Sequence, residues 1–237
     1  MLRFEEIAYE ATTMGELTLR RRHEAAVGAD VFEVKLGEEY LMSSLFTVAE
    51  EELARLGLAA VHSPGPLTVA VGGLGLGYTA VTALEDDRVG SLVVVDALPE
   101  VIRWHERRLL PVSDTLVGDP RTALLHADFF AVMRGAPGAV SGVPASLDAI
   151  LLDVDHTPTF TLDASHADLY TVSGMHRLAR HLAPGGVFAL WSDDPPEESF
   201  LAVLREVFAT VEGHTVKFDN PVTEGTSRNG VYVARRA

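Results

Sequence analysis

The chain has 237 residues, no cysteine and a formal net charge of -15 from 34 acidic and 19 basic side chains. That length suits one sizeable α/β core with a small appendage, the missing cysteines exclude disulfides, thiolate metal sites and thiol nucleophiles, and the acidity opposes binding to nucleic-acid phosphates. No apolar stretch approaches the roughly 18 residues of a membrane span, and the acidic start MLRFEEIAYE does not read as a signal peptide, so a cytoplasmic protein with neither nucleic-acid nor membrane partners is expected.

Residues 1–61 are expected to form a small β domain with a linking helix, and residues 62–237 a larger α/β domain. Short strands are predicted over 16–23, 31–36 and 40–42, separated by turn signals at Gly15, Gly28 and Gly37. The basic run Arg20-Arg21-Arg22-His23 falls within the first of these, where alternation divides its side chains between two faces, so a solvated or dimer-edge strand is the expected role. Apolar Leu45, Val48, Leu53 and Leu56 recur at helical spacing, with Ser43 or Ser44 as cap and Gly57 as stop. The stretch His62-Ser63-Pro64-Gly65-Pro66 then breaks the chain.

From Leu67 onward strands and helices alternate, the mark of a parallel sheet with right-handed crossovers. Strands are predicted over 68–71, 91–95, 123–126, 147–152, 186–191, 215–219 and 230–234, and helices over 78–84, 99–109, 129–134, 171–182 and 197–208. The expected fold is a Rossmann-like, seven-stranded, mostly parallel sheet of the class I methyltransferase type. Ligands of such sheets sit above the carboxyl ends of the strands.

The first core strand runs into GGLGLG, and the second, SLVVV, ends at Asp96. Gly72, Gly73, Gly75 and Gly77 allow a sharp turn with no Cβ between backbone and ligand. Asp96, roughly 20 residues further on, is placed to accept hydrogen bonds from ribose hydroxyls. Counting from Gly73, the third glycine of the dinucleotide pattern G-x-G-x-x-G is Tyr78, so a pyrophosphate seat is missing. Adenosine bearing an amino-acid or amine tail fits instead, as in S-adenosylmethionine.

Three further polar spots fall at strand ends. In HADFF, Asp128 is either an adenine contact, the N-cap of the next helix, or both. In AILLDVDHTP, a buried-strand pattern ends in Asp153, Asp155 and His156, groups able to orient an amine nucleophile or relay its proton. The alternative is a turn capped by the two carboxylates, and a metal site is a minority reading without a partner ligand elsewhere. Trp191 and Asp193, in WSDDPP, form a candidate wall for a cationic substrate, and Tyr170 is a further candidate substrate contact. His105, His176 and His181 fall on predicted helices and are read as packing or surface residues.

These segments together resemble the spermidine synthase-like family, the polyamine aminopropyltransferases and their relatives on the class I methyltransferase fold. GGLGLG stands at the glycine motif, VVDALPEVIRW at the ribose-acid segment, HADFF at the adenine segment and LDVDHTP at the catalytic loop, while LYTVSGMHRLARHLAPGGVFALW resembles the family's helix, glycine turn and strand. The resemblance implies that Asp96 binds ribose, Asp128 adenine, and that Asp153 is the catalytic acid. Two departures matter. The family's aspartate within the glycine motif, which reads the amine tail of the decarboxylated donor, is absent near Gly75, and His156 replaces a second loop aspartate. The leading expectation is therefore methyl transfer from S-adenosylmethionine to a small amine-type acceptor, in a cytoplasmic homodimer. Aminopropyl transfer from decarboxylated S-adenosylmethionine is the runner-up, and a non-catalytic nucleoside-binding subunit the third reading.

Overall fold

The computed structural model describes residues 4–12, 14–154 and 156–237. An antiparallel sheet of β1 (Phe4–Thr12), β2 (Gly15–Glu24), β3 (Ala29–Leu36) and β4 (Glu39–Ser43) opens the chain, paired in sequence order. Strand β1 was not anticipated, because its register shifts between Glu6 and Ala8 and interrupts the alternation that would reveal it. It covers β2, so β2 is an inner strand and the edge role expected of the arginine run is wrong. The alternation itself holds. Arg20 and Arg22 donate from one face to the two oxygens of Glu33, at 2.8 and 2.7 Å, while Arg21 pairs with Glu5. Leu17, Leu19 and Val34 take this sheet into the main core.

Helix α1 (Val48–Ala59) follows, with Thr47 in place of either serine at its N-cap. Ser44 is occupied elsewhere, accepting from the Phe32 amide at 2.9 Å. Gly57 does not stop the helix. It lets α1 press on the sheet, where a Cβ would lie 2.7 Å from Leu151 Cδ2 and 3.0 Å from Ala189 Cβ.

The second unit is built from β5 (Leu67–Gly72), α2 (Tyr78–Leu84), β6 (Val89–Asp96), α3 (Pro99–Glu106), α4 (Ser113–Gly118), β7 (Thr122–His126), α5 (Phe129–Arg134), β8 (Leu147–Leu152), α6 (Val172–Ala179), β9 (Leu182–Ser192), α7 (Glu198–Arg205), β10 (Thr210–Asn220) and β11 (Gly225–Arg235). Its seven strands lie in the order β10-β11-β9-β8-β5-β6-β7. The pairs among β9, β8, β5, β6 and β7 are parallel, and β11 joins β9 antiparallel, carrying β10 with it.

Alternation across each central strand fills two cores. Val69, Val71, Leu92, Val94, Ala149 and Leu151 face one side, toward α1 and α2, whereas Ala70, Val93, Val95, Ile150 and Leu152 face the other, with Phe129, Met175 and Phe200. A sheet buried on both faces requires the near-continuous apolar runs seen in the sequence. Among the described residues no helix is long and apolar enough to cross a membrane.

Candidate active site

The carboxyl ends of β5, β6 and β8 open into a cavity of about 740 Å³, and the β10–β11 hairpin and the segment before α1 complete its walls. Phe46 and Phe218 meet across it with ring centroids 5.4 Å apart. Residues from both ends of the chain therefore enclose the space over the parallel strands.

The glycine turn is shaped by its backbone. Gly73, Gly75 and Gly77 have φ of +90°, +47° and +90°, where L side chains are strained. At Gly73 a Cβ would stand 2.1 Å from the carbonyl oxygen of Asp153. Gly72 plays a different part from the one expected. It is the last residue of β5, it does not line the cavity, and its missing side chain makes room for Phe129 and Leu152 in the core.

Asp96 closes this turn from the end of β6. One carboxylate oxygen accepts the Leu74 amide at 2.8 Å and the other the Leu98 amide at 2.7 Å, the Gly75 amide also bonds to the carboxylate, and Asp96 lines the cavity. Burial pushes its carboxyl up, against the lowering effect of those amides. Beneath the turn, fully buried His105 holds Gly75 O at 2.9 Å through Nε2 and Ser113 Oγ at 3.2 Å through Nδ1. Burial keeps this imidazole below its ordinary pKa. His105 thus packs, as expected, but it packs against the loop that shapes the site.

Asp128 also lines the cavity and is the N-cap of α5, accepting the Ala131 amide at 3.1 Å. Its second oxygen lies 3.5 Å from the Arg134 guanidinium. Asp153 lines the same cavity, its backbone N–H donating to Gly72 O at 2.8 Å and its Oδ2 accepting from the Thr79 hydroxyl at 2.9 Å. Burial pushes the Asp153 carboxyl up to about 6, Thr79 opposing the shift. Asp155 lies outside the described residues.

His156 lines the same space, stacked on Phe160 at 5.0 Å with Nε2 3.5 Å from Glu39 at the start of β4. Its carbonyl accepts the Asp193 amide at 2.7 Å, which ties the loops after β8 and β9 together. Trp191 and Asp193 are both wall residues, and the Asn229 side chain donates to Asp193 Oδ1 at 3.1 Å. Tyr170 is a correction. It is 6% exposed, packed edge-on against Phe130 and Phe200 in the core under α5, α6 and α7, and it does not line the cavity. Among the described residues no group of three or more His, Asp or Glu is placed to hold a metal ion.

The residue missed in the sequence is Glu50. It sits on the face of α1 that also carries Ala49, Leu53 and Ala54, and it projects into the cavity near Asp153. Its neighbours Glu51 and Glu52 instead pair with Arg55 at 3.0 and 3.3 Å. Burial, reinforced by the Asp153 charge, raises the Glu50 carboxyl to about 8.

Two spermidine synthase structures match this architecture almost throughout. One, from Thermotoga maritima, superimposes with a TM-score of 0.73 at 18% identity over 98% of this chain and 73% of the other. The second, in complex with the transition-state analogue AdoDATO, gives 0.72 at 19% identity over 98% and 74%. The chain has the spermidine synthase fold. Human methyltransferase-like protein 13 in complex with SAH also matches, with a TM-score of 0.58 at 21% identity over 80% of this chain and 82% of that one. At these identities the likeness establishes the fold, and no protein-family model and no curated protein sequence matches the chain. The small antiparallel sheet before the helix is thus part of the spermidine synthase-like architecture, as expected from the sequence.

Proposed function

We propose that the protein is an S-adenosylmethionine-dependent transferase that delivers a methyl group to a small amine-type acceptor. The observation that carries this reading is the junction of β5 and β8. The glycine turn and Asp96 form a nucleoside cradle, and Asp153 enters the same cavity bonded to the backbone of that turn. Asp96 and the turn amides suit a ribose, and Asp128 is within the wall where an adenine edge would lie. A bound sulfonium supplies an electrophilic carbon without a metal, which leaves the protein to align the nucleophile, exclude water and manage a proton.

Methyl transfer is favoured over aminopropyl transfer by the surroundings of Gly75. No carboxylate stands in the turn, and the space a Cβ would enter is occupied by Met42, whose Sδ would lie 2.9 Å away. A cationic amine tail would find a thioether there where the resemblance calls for an acid. Aminopropyl transfer remains the second reading, supported by the 98% coverage by the spermidine synthases, which extends through the N-terminal sheet. Calorimetric titration of the ligand-free protein with S-adenosylmethionine and with its decarboxylated form separates the two. Tighter binding of the intact donor is expected. Preference for the decarboxylated donor would replace methyl with aminopropyl transfer, and binding of neither would refute the donor assignment.

A further inference from the structure

We propose that Glu50 is a second catalytic carboxyl, which together with Asp153 brackets the nitrogen of an amine acceptor and takes the proton that nitrogen sheds on alkylation. The inference rests on the transferase reading above and adds the group that handles the acceptor's proton.

Glu50 and Asp153 arrive in the cavity from different elements, α1 and the end of β8, and Thr79 of α2 stands between them. The Thr79 hydroxyl lies 2.9 Å from Asp153 Oδ2 and 3.3 Å from the main-chain carbonyl of Glu50, and is 3% exposed. The Asp153 carboxylate is thereby held against the turn of α1 that carries Glu50. The Glu50 carboxyl meets its own backbone amide, and among the described residues it is paired with no cation. Arg228 and His156 also line the cavity, but among the described residues neither is paired with Glu50 or Asp153, so the two carboxyls leave a position for a cation.

The charged and titratable groups around Glu50 are few. Asp153 faces it from β8, Tyr78 from α2, and Glu51 precedes Arg55 on its own helix, where the two are paired. None of them supplies a positive charge to the cavity side. Both carboxyls are raised by burial, and two close carboxylates resist ionising together, so at neutral pH the pair shares one proton, favouring Glu50, and carries one negative charge.

An ammonium entering between them stabilises both carboxylates, so the Glu50 proton leaves for solvent as the amine binds. The chemical step then balances within the site. One N–H bond of the ammonium breaks and its proton passes to the carboxylate pair. The freed lone pair forms the new N–C bond to the carbon of the sulfonium donor, and the C–S bonding electrons return to sulfur as a neutral thioether. The order of the two carboxyls matters: Asp153, with the lower pKa, keeps the negative charge that attracts the amine, and Glu50 is the better proton acceptor once ionised.

The test uses the full-length protein and n-butylamine, a plain primary amine, as the probe. Calorimetric titration at pH 7 in two buffers of different ionisation heat counts protons exchanged on binding, first with S-adenosylhomocysteine bound and then with the protein alone. The expected result is release of close to one proton per amine bound, falling toward zero at pH 9, where Glu50 is already ionised. Glu50→Gln should abolish the release and weaken amine binding at least tenfold, with S-adenosylhomocysteine affinity unchanged, and Glu50→Asp should restore part of both. Thermal unfolding of each variant confirms that it is folded. Heats independent of buffer in the wild type, wild-type proton release in Glu50→Gln, or no amine binding at all would overturn the proposal. Failure of S-adenosylhomocysteine to bind would refute the donor reading separately, since the titration of the protein alone still reports on Glu50.

Discussion

Replacing Glu50 by glutamine should make the protein more stable, and by an amount that grows with pH. In the folded chain the carboxyl titrates at about 8 against 4.5 in its ordinary state. An acid whose folded pKa is raised contributes stability in full below the unfolded pKa and loses it as pH climbs toward the folded value. At about 1.4 kcal/mol per pKa unit, the loss reaches about 1 kcal/mol at pH 5 and about 4 kcal/mol at pH 8. Water in the open cavity screens part of this, leaving a difference of about 2 to 3 kcal/mol between the two pH values. Glutamine has the same shape and never ionises, so Glu50→Gln should match the wild type within about 1 kcal/mol at pH 5 and exceed it by about 2 to 3 kcal/mol at pH 8. Urea unfolding at both pH values, with unchanged m, measures this. Parallel stability profiles for the two proteins would mean that Glu50 is ionised throughout the range, and the carboxyl pair as described would be wrong.

Three other outcomes follow from the site. Asp96→Ala leaves the Leu74 and Leu98 amides without their acceptor and should weaken S-adenosylmethionine about 10- to 100-fold by calorimetry; unchanged affinity would remove Asp96 from the cradle. Gly73→Ala forces a Cβ to within 2.1 Å of a backbone oxygen at φ +90° and should cost more than about 2 kcal/mol in urea, whereas Gly118→Ala, with nothing within 4 Å, should be neutral or slightly stabilising. Thr79→Val removes the hydrogen bond that lowers the Asp153 pKa, so the carboxyl should titrate above 6 and the acid limb of any activity or amine-binding profile should move to higher pH. A limb that stays in place would show that Asp153 does not govern it.

The central sheet was legible because burial on both faces leaves uninterrupted apolar runs at β5, β6 and β8. Helix α4 escaped notice because six residues carry too little period. Strand β9 begins at Leu182, ahead of the predicted start, because Leu182 already pairs with Leu147 before the chain bulges at Pro184-Gly185-Gly186, with Gly185 at φ +73°, and rejoins β8 at Val187. The long reach of β10 and β11 was hidden by their polar outer ends, which pair with each other beyond the core.

Site residues at strand ends were readable for the same reason as the strands: a carboxylate terminating an apolar run must emerge at the rim. Asp96, Asp128 and Asp153 all do. Tyr170 was misplaced because its position was inferred from proximity in sequence to the β9 crevice, while the ring turns into the core between Phe130 and Phe200. Glu50 was invisible for the opposite reason. In a run of three glutamates the ordinary reading is a solvated face, and only the helix phase set by Leu53 and Ala54 shows that the first points inward.

The amide of Asp153 and the carbonyl of Gly72 join the loop after β8 to the turn after β5 by main-chain atoms alone. The bond itself needs no side chain, and Gly73, where a Cβ would meet the Asp153 carbonyl oxygen at 2.1 Å, is the position whose substitution would force the two strands' ends apart, so the spacing between the two halves of the reaction is set by the backbone. Remodelling the acceptor range would therefore fall to the walls that reach it through side chains such as Asn229 and Glu39, the β10–β11 hairpin and the segment before α1, which can change shape and charge while the distance over which the group must travel stays constant.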